Sequence, residues 1–439
     1  MGLSLLGGRP MNITELKRQL RAHFTRLRSQ ERDTPALRER LRGEVSKELK
    51  RSKLLPDAQQ RAQVTEELMR DLFGFGPLQG LLEHPQVAEI MVNGPSDIFI
   101  EVDGRQRSAG VTFDDEAHLL EVVHRLVRRA EVRLDESNPV VDGVLDGFRF
   151  NAAIAPIAIN GPLLTIRKPQ PDVREIEDLI NRGTLTLPIY QFLWACIQAR
   201  LNIVFSGATG SGKTTLLEVL SQYIGEDERV VLIEDTPELK VRQRNVARLM
   251  TRPPNLEGRG EVTLRALFKS ALRMRPTRII LGELRGEEAF DYLQSINSGH
   301  RGSLAVIHAS SAEQVSARIE NLAQLTGLNV PAEVLRRQIF TGLDLIVHVE
   351  RLQDGSRKIT EIAELHASSP DELYTKPLFT FEQRGVSPQD GQVIGEHVAH
   401  GALPQLFHLF KRHGIALDPT IFGVSPTSDS PAGPPPLPR

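Results

Sequence analysis

The chain has 439 residues, of which 40% are apolar and 25% charged, and its 54 Lys and Arg against 56 Asp and Glu leave a net charge of −2. This length corresponds to about two to four domains, and the composition is typical of a globular protein. The charge balance argues against a general nucleic-acid binder. Because Cys196 is the only cysteine, a disulfide framework and a four-cysteine zinc site are excluded, and a reducing compartment is indicated. No apolar run approaches the ~20 residues that a membrane-spanning helix needs.

Residues 1–74 are predicted to be a basic helical region. The first 70 residues carry 16 basic and 9 acidic side chains. Apolar residues recur at helical spacing, at Ile13, Leu16, Leu20 and Phe24 and again at Leu37, Leu41, Val45 and Leu49. The preferred interpretation is the solvated face of amphipathic helices, and the alternative is a docking surface for anionic lipid or an acidic partner.

Residues 75–168 are predicted to form a small α+β domain. Strand patterns occur at 89–93, 98–102, 140–151 and 163–167, with a helix at about 115–130. The next segment, residues 169–186, contains Pro169 and Pro171, which favour extended backbone, so we predict an interdomain linker there.

Between residues 187 and 366, short apolar runs alternate with helical stretches, which predicts an α/β domain built on a buried parallel sheet. The predicted strands are 202–206, 230–234, 278–281, 303–308 and 345–350. An Asp354-Gly355 turn leads into a hairpin strand at 358–362. Residues 367–423 are predicted as a C-terminal extension. The proline-rich residues 424–439 are predicted as a disordered tail, with a PxxP ligand as the alternative.

The clearest motif is GATGSGKTT, which matches G-x-x-x-x-G-K-[ST] between a predicted strand and an apolar helix. Such glycines let backbone N–H groups converge on phosphate oxygens at the amino end of the helix. Lys213 is expected to reach the β- and γ-phosphates, and the Thr214 hydroxyl to complete the ligands of a Mg²⁺ ion. The predicted nucleotide-binding residues are Gly207, Ala208, Thr209, Gly210, Ser211, Gly212, Lys213, Thr214 and Thr215.

Two predicted strands end in carboxylates. Glu283 follows strand 278–281, at the edge of the sheet where ligands bind in such folds. We interpret it as the carboxylate that orients or deprotonates the attacking water, rather than as a structural ion-pair partner of Arg285. Glu234 and Asp235 end strand 230–234, and we interpret them as assisting that base or holding the water shell of the metal. The alternative is an N-cap or a loop hydrogen bond beside Pro237.

Two histidines, His300 and His308, bracket strand 303–308. They lack the i, i+4 spacing of a zinc site and have no cysteine nearby, so metal binding is disfavoured. His308 ends the strand at the predicted site edge. We interpret it as a sensor of the γ-phosphate, and the alternative is a buried structural histidine.

In chain order, GATGSGKTT, VVLIEDTPEL, RIILGELRG and SGHRGSLAVIHA resemble the Walker A, aspartate box, Walker B and histidine box of the type II/IV secretion-ATPase superfamily. The segments GFGPLQGLL, EIMVNGP, DESNPVVDG, RFNAAIAP and LTIRKP resemble the CpaF/TadA family, the ATPases of tight-adherence pilus systems. The resemblance runs from about residue 74 to residue 364.

This resemblance implies a RecA-like P-loop core preceded by a small PAS-like α+β domain. It implies a homohexamer that hydrolyses ATP with Mg²⁺ in the cytoplasm, peripheral to the inner membrane. There it would bind a membrane platform protein and drive pilus assembly or retraction, or protein secretion.

The resemblance also implies roles for individual residues. Those matching the catalytic boxes are Glu283, Glu234, His300 and His308. Arg149 and Arg167, with Arg133 as a weaker third, match arginines that reach the nucleotide across an interdomain cleft; without the resemblance they are ordinary surface charges.

A conjugation-type (type IV) secretion ATPase shares these motifs and is the nearest alternative. A DNA-translocating RecA-like ATPase is disfavoured because residues 71–439 carry 38 basic and 47 acidic side chains, so no nucleic-acid partner is expected. A nucleotide-gated scaffold without turnover is disfavoured because Lys213 and Glu283 are both present.

Overall fold

The computed structural model describes residues 12–29, 31–102, 104–168, 175–252, 254–255, 259–369 and 372–424. The chain divides into two compact units, Met1–Asp172 and Val173–Arg439. The predicted disordered tail lies outside the described residues from residue 425 onward. Within the described residues, no helix is both long and apolar enough to cross a membrane.

The basic region of the first unit contains three helices. They are α1 (Ile13–Ser29), α2 (Pro35–Ser52) and α3 (Ala58–Phe73). Each break has a local cause, because Thr34 caps α2 ahead of Pro35 and Asp57 caps α3. The two predicted apolar runs meet in one core, except for Ile13, which is exposed.

Several arginines of this region form ion pairs within it. These pairs are Arg18–Glu15, Arg38–Asp33, Arg40–Glu31 and Arg42–Glu66. Part of the positive charge is therefore neutralised locally, which favours the solvated-face interpretation over a docking surface for an anionic partner.

A short 3₁₀ helix (Gly76–Leu78) and α4 (Gln79–Glu83) precede the predicted α+β domain. Its strands are β1 (Val87–Val92), β2 (Ile98–Val102), β3 (Arg105–Ser108), β4 (Val140–Leu145), β5 (Phe148–Ala153) and β6 (Leu163–Arg167). They form an antiparallel sheet in the order β3-β2-β1-β6-β5-β4. Helix α5 (Glu116–Arg129) packs on one face through an apolar core. The predicted strand 140–151 is two strands, because Asp146 and Gly147 form a turn with positive φ values of 52° and 83°.

The second unit begins with a helix where a linker was predicted. Residues 169–174 of that predicted linker lie outside the described residues, but α6 (Ile176–Asn181) follows directly. The backbone N–H of Glu175 donates to the Asp178 carboxylate at 3.3 Å, and Ile176 and Leu179 are buried in the core of this unit. The carboxyl-terminal part of the predicted linker therefore belongs to the second unit, because a capped, amphipathic turn gives it a buried face.

One nine-stranded mixed sheet forms the centre of the second unit. Its strands are β7 (Ile203–Ser206), β8 (Val230–Glu234), β9 (Val246–Met250), β10 (Arg278–Leu284), β11 (Leu304–Ile307), β12 (Leu345–Arg351), β13 (Arg357–Ser369), β14 (Glu372–Val386) and β15 (Val393–Ala399). The order is β15-β14-β13-β12-β7-β11-β10-β8-β9. Strands from β12 to β9 in this order pair in parallel, and β13, β14 and β15 are added antiparallel.

Helices cover both faces of this sheet. They are α7 (Leu187–Gln198), α8 (Lys213–Ser221), α9 (Leu264–Ala271), α10 (Glu288–Asn297), α11 (Gln314–Gln324), α12 (Ala332–Gly342) and α13 (Phe407–Arg412), with a 3₁₀ helix at Pro419–Phe422. Phe205 of β7 packs in the core with α7 and α8, whereas its neighbour Val204 packs in the core with α9 to α12. This alternation confirms the predicted α/β class with a parallel sheet. Cys196 of α7 is fully buried in the first of these cores.

The predicted C-terminal extension is continuous with the sheet. Strand β13 crosses the predicted boundary at residue 366, and β14 and β15 pair onto it. Phe410 and Phe422 lie against Phe192 of α7, with ring centroids 6.1 and 5.1 Å away. Residues 367–423 are therefore not separate from the α/β core, because their backbone extends its edge and their aromatic side chains cover one face.

Candidate nucleotide site

The phosphate-binding motif occupies the turn between β7 and α8. Gly207, Gly210 and Gly212 have φ values of 145°, 76° and 101°, which favour glycine. A side chain at residue 207 is also excluded by space, because its Cβ would lie 2.1 Å from the Val349 carbonyl oxygen. Gly212 is the N-cap residue of α8 and provides no side chain to cap the helix. The N–H groups of the first helical turn can therefore bind an anion.

Lys213 and Ser211 add polar groups to this loop. Lys213 is buried, and its Nζ donates to the Ala208 carbonyl at 2.6 Å, so the ammonium lies over the loop. The Ser211 hydroxyl is buried and has no hydrogen-bond partner within the described part of the chain. An open helix start, a loop-bound ammonium and an unsatisfied hydroxyl fit a phosphate chain.

Glu283 stands at a bulge in strand β10. The strand pairs with β11 in regular register up to Leu281, and resumes at Leu284 after one extra residue. Bulges of this kind redirect a side chain at the end of a strand. The Glu283 side chain is 34% exposed, which leaves its carboxylate accessible to water and substrate.

His308 lies beside Glu283. Its Nε2 is 3.5 Å from Glu283 Oε1. Partial burial and the positive charge of Lys213 lower the pKa of His308, while the Glu283 charge opposes this shift. The neutral imidazole therefore predominates near pH 7. Lys213, Glu283 and His308, all predicted from sequence, lie together at the carboxyl edge of the parallel strands.

Glu234 is the buried neighbour of this group. Its Oε1 accepts the backbone N–H groups of Glu238 and Leu239, both at 2.8 Å. Burial raises its pKa, although these two hydrogen bonds act in the opposite direction. Gly282 leaves the space for it, because a Cβ there would lie 3.0 Å from Glu234 Cγ. The loop hydrogen bonds proposed as the alternative are present.

Asp235 and Arg285 form an ion pair at 2.7 Å. Asp235 also accepts the Thr251 hydroxyl at 2.6 Å. The structural alternative for Glu283, in which it pairs with Arg285, is therefore wrong, because the arginine reaches the carboxylate at the end of the neighbouring strand β8.

His300 is not brought to this group. It precedes β11, whereas His308 follows it, so the two histidines lie at opposite edges of a parallel sheet. The next residue, Arg301, pairs at 2.9 Å with Asp344, which likewise precedes its strand, β12. The prediction that His300 belongs to the catalytic group is corrected, because the strand between the two histidines separates them.

The predicted nucleotide arginines lie in the first unit. Arg149 of β5 and Arg167 of β6 are exposed cross-strand neighbours, and Arg167 is also paired in register with Glu89 of β1, whose Oε1 is 3.6 Å from Arg167 Nε. Arg133 forms an ion pair with Asp135.

Two residues at the loop were missed in the sequence. His348 of β12 is buried, and its Nδ1 is hydrogen-bonded to Ser206 Oγ at 2.8 Å, directly below the loop. Arg357 of β13 donates from Nε to the Gly210 carbonyl at 3.0 Å. Both residues are far from the motif in sequence, and the pairing of β12 with β7 places them beside the loop. The sequence feature that could have indicated this was the Asp354-Gly355 turn, which predicts the hairpin that carries Arg357.

Comparison with known proteins identifies the class. Residues 71–384, more than half of the chain, match the family described as type II/IV secretion system protein, so the chain belongs to this family. Among its relatives, a putative conjugal transfer protein of Mycobacterium tuberculosis (strain CDC 1551 / Oshkosh) is 35% identical over 305 residues, covering 68% of this chain and 86% of the relative. The type IV secretion system protein VirB11 of Brucella suis biovar 1 (strain 1330) is 34% identical over 321 residues, covering 66% and 89%.

Solved structures also match. The VirB11 ATPase from the Brucella suis type IV secretion system, in complex with sulphate, is 32% identical, with 67% of this chain and 97% of that chain covered and a TM-score of 0.37. The pilus retraction motor PilT with bound ADP is 16% identical, with 66% and 83% covered and a TM-score of 0.46.

Proposed function

We propose that the protein is a motor ATPase that couples Mg²⁺-dependent hydrolysis of ATP to pilus assembly or retraction, or to protein secretion. The observation that carries this proposal is the grouping of Lys213, Glu283 and His308 at one edge of the sheet. A phosphate loop alone binds nucleotide, whereas an accessible carboxylate beside it supplies a group for hydrolysis.

Each side chain has a distinct part in the proposed reaction. Lys213 and the first turn of α8 bind the phosphates and stabilise their charge. Glu283 orients the attacking water or accepts its proton. The neutral His308 imidazole, 3.5 Å from Glu283, responds to the γ-phosphate. Mg²⁺, for which Thr214 would supply a hydroxyl ligand, would neutralise charge on the phosphate oxygens. Glu234 holds the segment at 238–239 in place and assists Glu283 through that position.

We further propose that Arg149 and Arg167 reach the nucleotide during turnover. The two side chains are exposed cross-strand neighbours on the first unit, with the Glu89 carboxylate 3.6 Å from Arg167 Nε. A cation near the γ-phosphate stabilises the charge that develops in the transition state.

The proposed assembly is a homohexamer in the cytoplasm, held at the inner membrane by a platform protein. The resemblance to CpaF/TadA pilus ATPases supports a tight-adherence pilus. A conjugation-type secretion ATPase is the second candidate, supported by the conjugal transfer and VirB11 relatives, which are 34–35% identical over about two thirds of the chain.

The test measures phosphate release and mass together. We expect the purified chain to release phosphate from ATP only with Mg²⁺, and native mass spectrometry with nucleotide to show six copies. Lys213→Ala should abolish tight ATP binding. A strict monomer at micromolar concentration with full turnover would contradict the motor. Capture of membrane proteins by the Glu283→Gln variant with ATP then separates a pilus platform from a conjugation-type secretion channel.

A further inference from the structure

The phosphate loop rests on the hairpin that joins β12 and β13. Ser206, the last residue before the loop, is hydrogen-bonded to His348 of β12. The first loop residue, Gly207, lies so close to β12 that a Cβ would meet the Val349 carbonyl oxygen at 2.1 Å. The start of the loop is therefore fixed by strand β12 as well as by its own strand.

Arg357 contacts the middle and the end of the same loop. Its Nε donates to the Gly210 carbonyl at 3.0 Å, and its Cδ lies 3.0 Å from the position of a Cβ on Gly212. The aliphatic stem thus covers Gly212 while the guanidinium holds Gly210. Both glycines have positive φ. This backbone conformation costs glycine little energy, but a free glycine also populates many other conformations. A contact that favours the positive-φ conformation therefore reduces the population of other loop conformations before the nucleotide binds.

The hairpin itself is held by Asp354. Its Oδ1 accepts the Ser356 N–H at 2.9 Å within the turn, and its Oδ2 accepts the N–H of Val393 at 2.8 Å, at the start of β15. Partial burial alone would raise the pKa of Asp354, but these hydrogen bonds leave it below its usual value, so the carboxylate is ionised at neutral pH. The contacts run from β15 through the turn to the phosphate loop.

We propose that Arg357 is a positioning residue that holds the phosphate loop in its binding shape through the hydrogen bond from its Nε to the Gly210 carbonyl. The inference rests on the proposed function and adds to it that the β12–β13 hairpin and the C-terminal strands determine nucleotide affinity. The effect is on binding, because Arg357 holds the loop backbone and leaves the reacting groups Lys213 and Glu283 in place.

The test compares two uncharged replacements of similar size. Gln carries a nitrogen at the same distance along the side chain as arginine Nε, so Arg357→Gln keeps the donor, whereas Arg357→Met keeps only the stem. Arg384→Ala is the matched control, because this arginine of β14 pairs with Glu396 instead. ATP affinity, KM and kcat are measured for each variant, with thermal midpoints without nucleotide as the check on folding.

We expect Arg357→Met to raise the Kd and KM for ATP about ten-fold, with kcat changed by less than about three-fold, since the net contribution of one hydrogen bond corresponds to roughly this factor. Arg357→Gln should stay within about three-fold of the unmodified chain, and Arg384→Ala should match it. Equal affinities for the Met and Gln variants, or a fall in thermal midpoint with no change in KM, would overturn the inference. If the unmodified chain binds no ATP, the proposed function fails instead.

Discussion

Glu283 and Glu234 differ enough in their surroundings for their roles to be separated by one substitution each. Glu283→Gln keeps the size of an exposed side chain but removes its ability to accept a proton. A general base contributes about 10² to 10⁴-fold, so turnover should fall by at least about 10²-fold with ATP affinity nearly unchanged. Thermal stability should also be unchanged, because the Glu283 side chain is 34% exposed and lies 3.5 Å from the neutral imidazole of His308.

Substitutions of Glu234 should affect the stability of the fold more than turnover. Glu234→Gln retains an oxygen that accepts the N–H groups of Glu238 and Leu239, so most of the fold is kept and turnover should fall less than for Glu283→Gln. Glu234→Ala leaves the buried N–H of Leu239 and the part-buried N–H of Glu238 without their acceptor, and a fully buried unsatisfied group costs about 1–3 kcal/mol. We expect a loss of about 1–4 kcal/mol in unfolding free energy for this variant, with most of it from Leu239.

The assay is steady-state phosphate release at saturating ATP, with ATP affinity measured separately and unfolding in urea as the stability measurement. A catalytic role for Glu283 is refuted if Glu283→Gln keeps turnover within about three-fold of the unmodified chain while Glu234→Gln abolishes it. The catalytic role would then belong to Glu234, and its hydrogen bonds to the loop would be secondary.

Three further predictions concern other parts of the chain. Arg167→Ala should lower turnover by about 10³-fold with little change in ATP affinity. Arg107 is an exposed arginine of β3, and Arg107→Ala should leave both turnover and ATP affinity unchanged. A fall in turnover of less than ten-fold for Arg167→Ala would contradict the proposed role. Arg278→Ala removes two part-buried 2.9 Å hydrogen bonds to Glu228, which keeps its ion pair with Arg200 at 3.2 Å, and urea unfolding should show a loss of about 2–4 kcal/mol. Burial lowers the pKa of His397 to about 4. The folded state therefore binds fewer protons than the unfolded one, and up to about 3 kcal/mol of stability present above pH 6.5 should be lost as the pH falls to 4. His397→Gln should flatten that part of the urea-unfolding profile.

The local sequence pattern was sufficient to predict the edge of the sheet that carries the candidate site. The apolar strands β7, β8, β10, β11 and β12 are buried on both faces, so each appears in the sequence as a continuous apolar run. The groups that end or follow them, including Glu283 and His308, are then placed at one edge by the rule that parallel strands share a direction.

The remaining elements lack such a pattern. Strand β3 (RQRS) is exposed throughout, and β14 contains Pro377 and Gly385, so neither shows the alternation or the apolar run of a buried strand. Arg357 meets the phosphate loop only because β12 pairs with β7, a contact between residues about 140 positions apart. The prediction for His300 was wrong because the histidine-box motif was treated as a single site, although strand β11 lies between His300 and His308.

The burial of Cys196 allows the protein to be labelled with dyes at introduced cysteines. The side chain is fully buried in α7, and burial together with the charges of Asp344 and Glu364 raises the pKa of its thiol well above the usual value. A thiol that is both inaccessible and protonated reacts slowly with maleimides. Cysteines introduced at exposed positions, one on each unit, would then carry all of the dye without removing the native residue. Energy transfer between the two dyes would report the separation of the units as ATP is bound, hydrolysed and released.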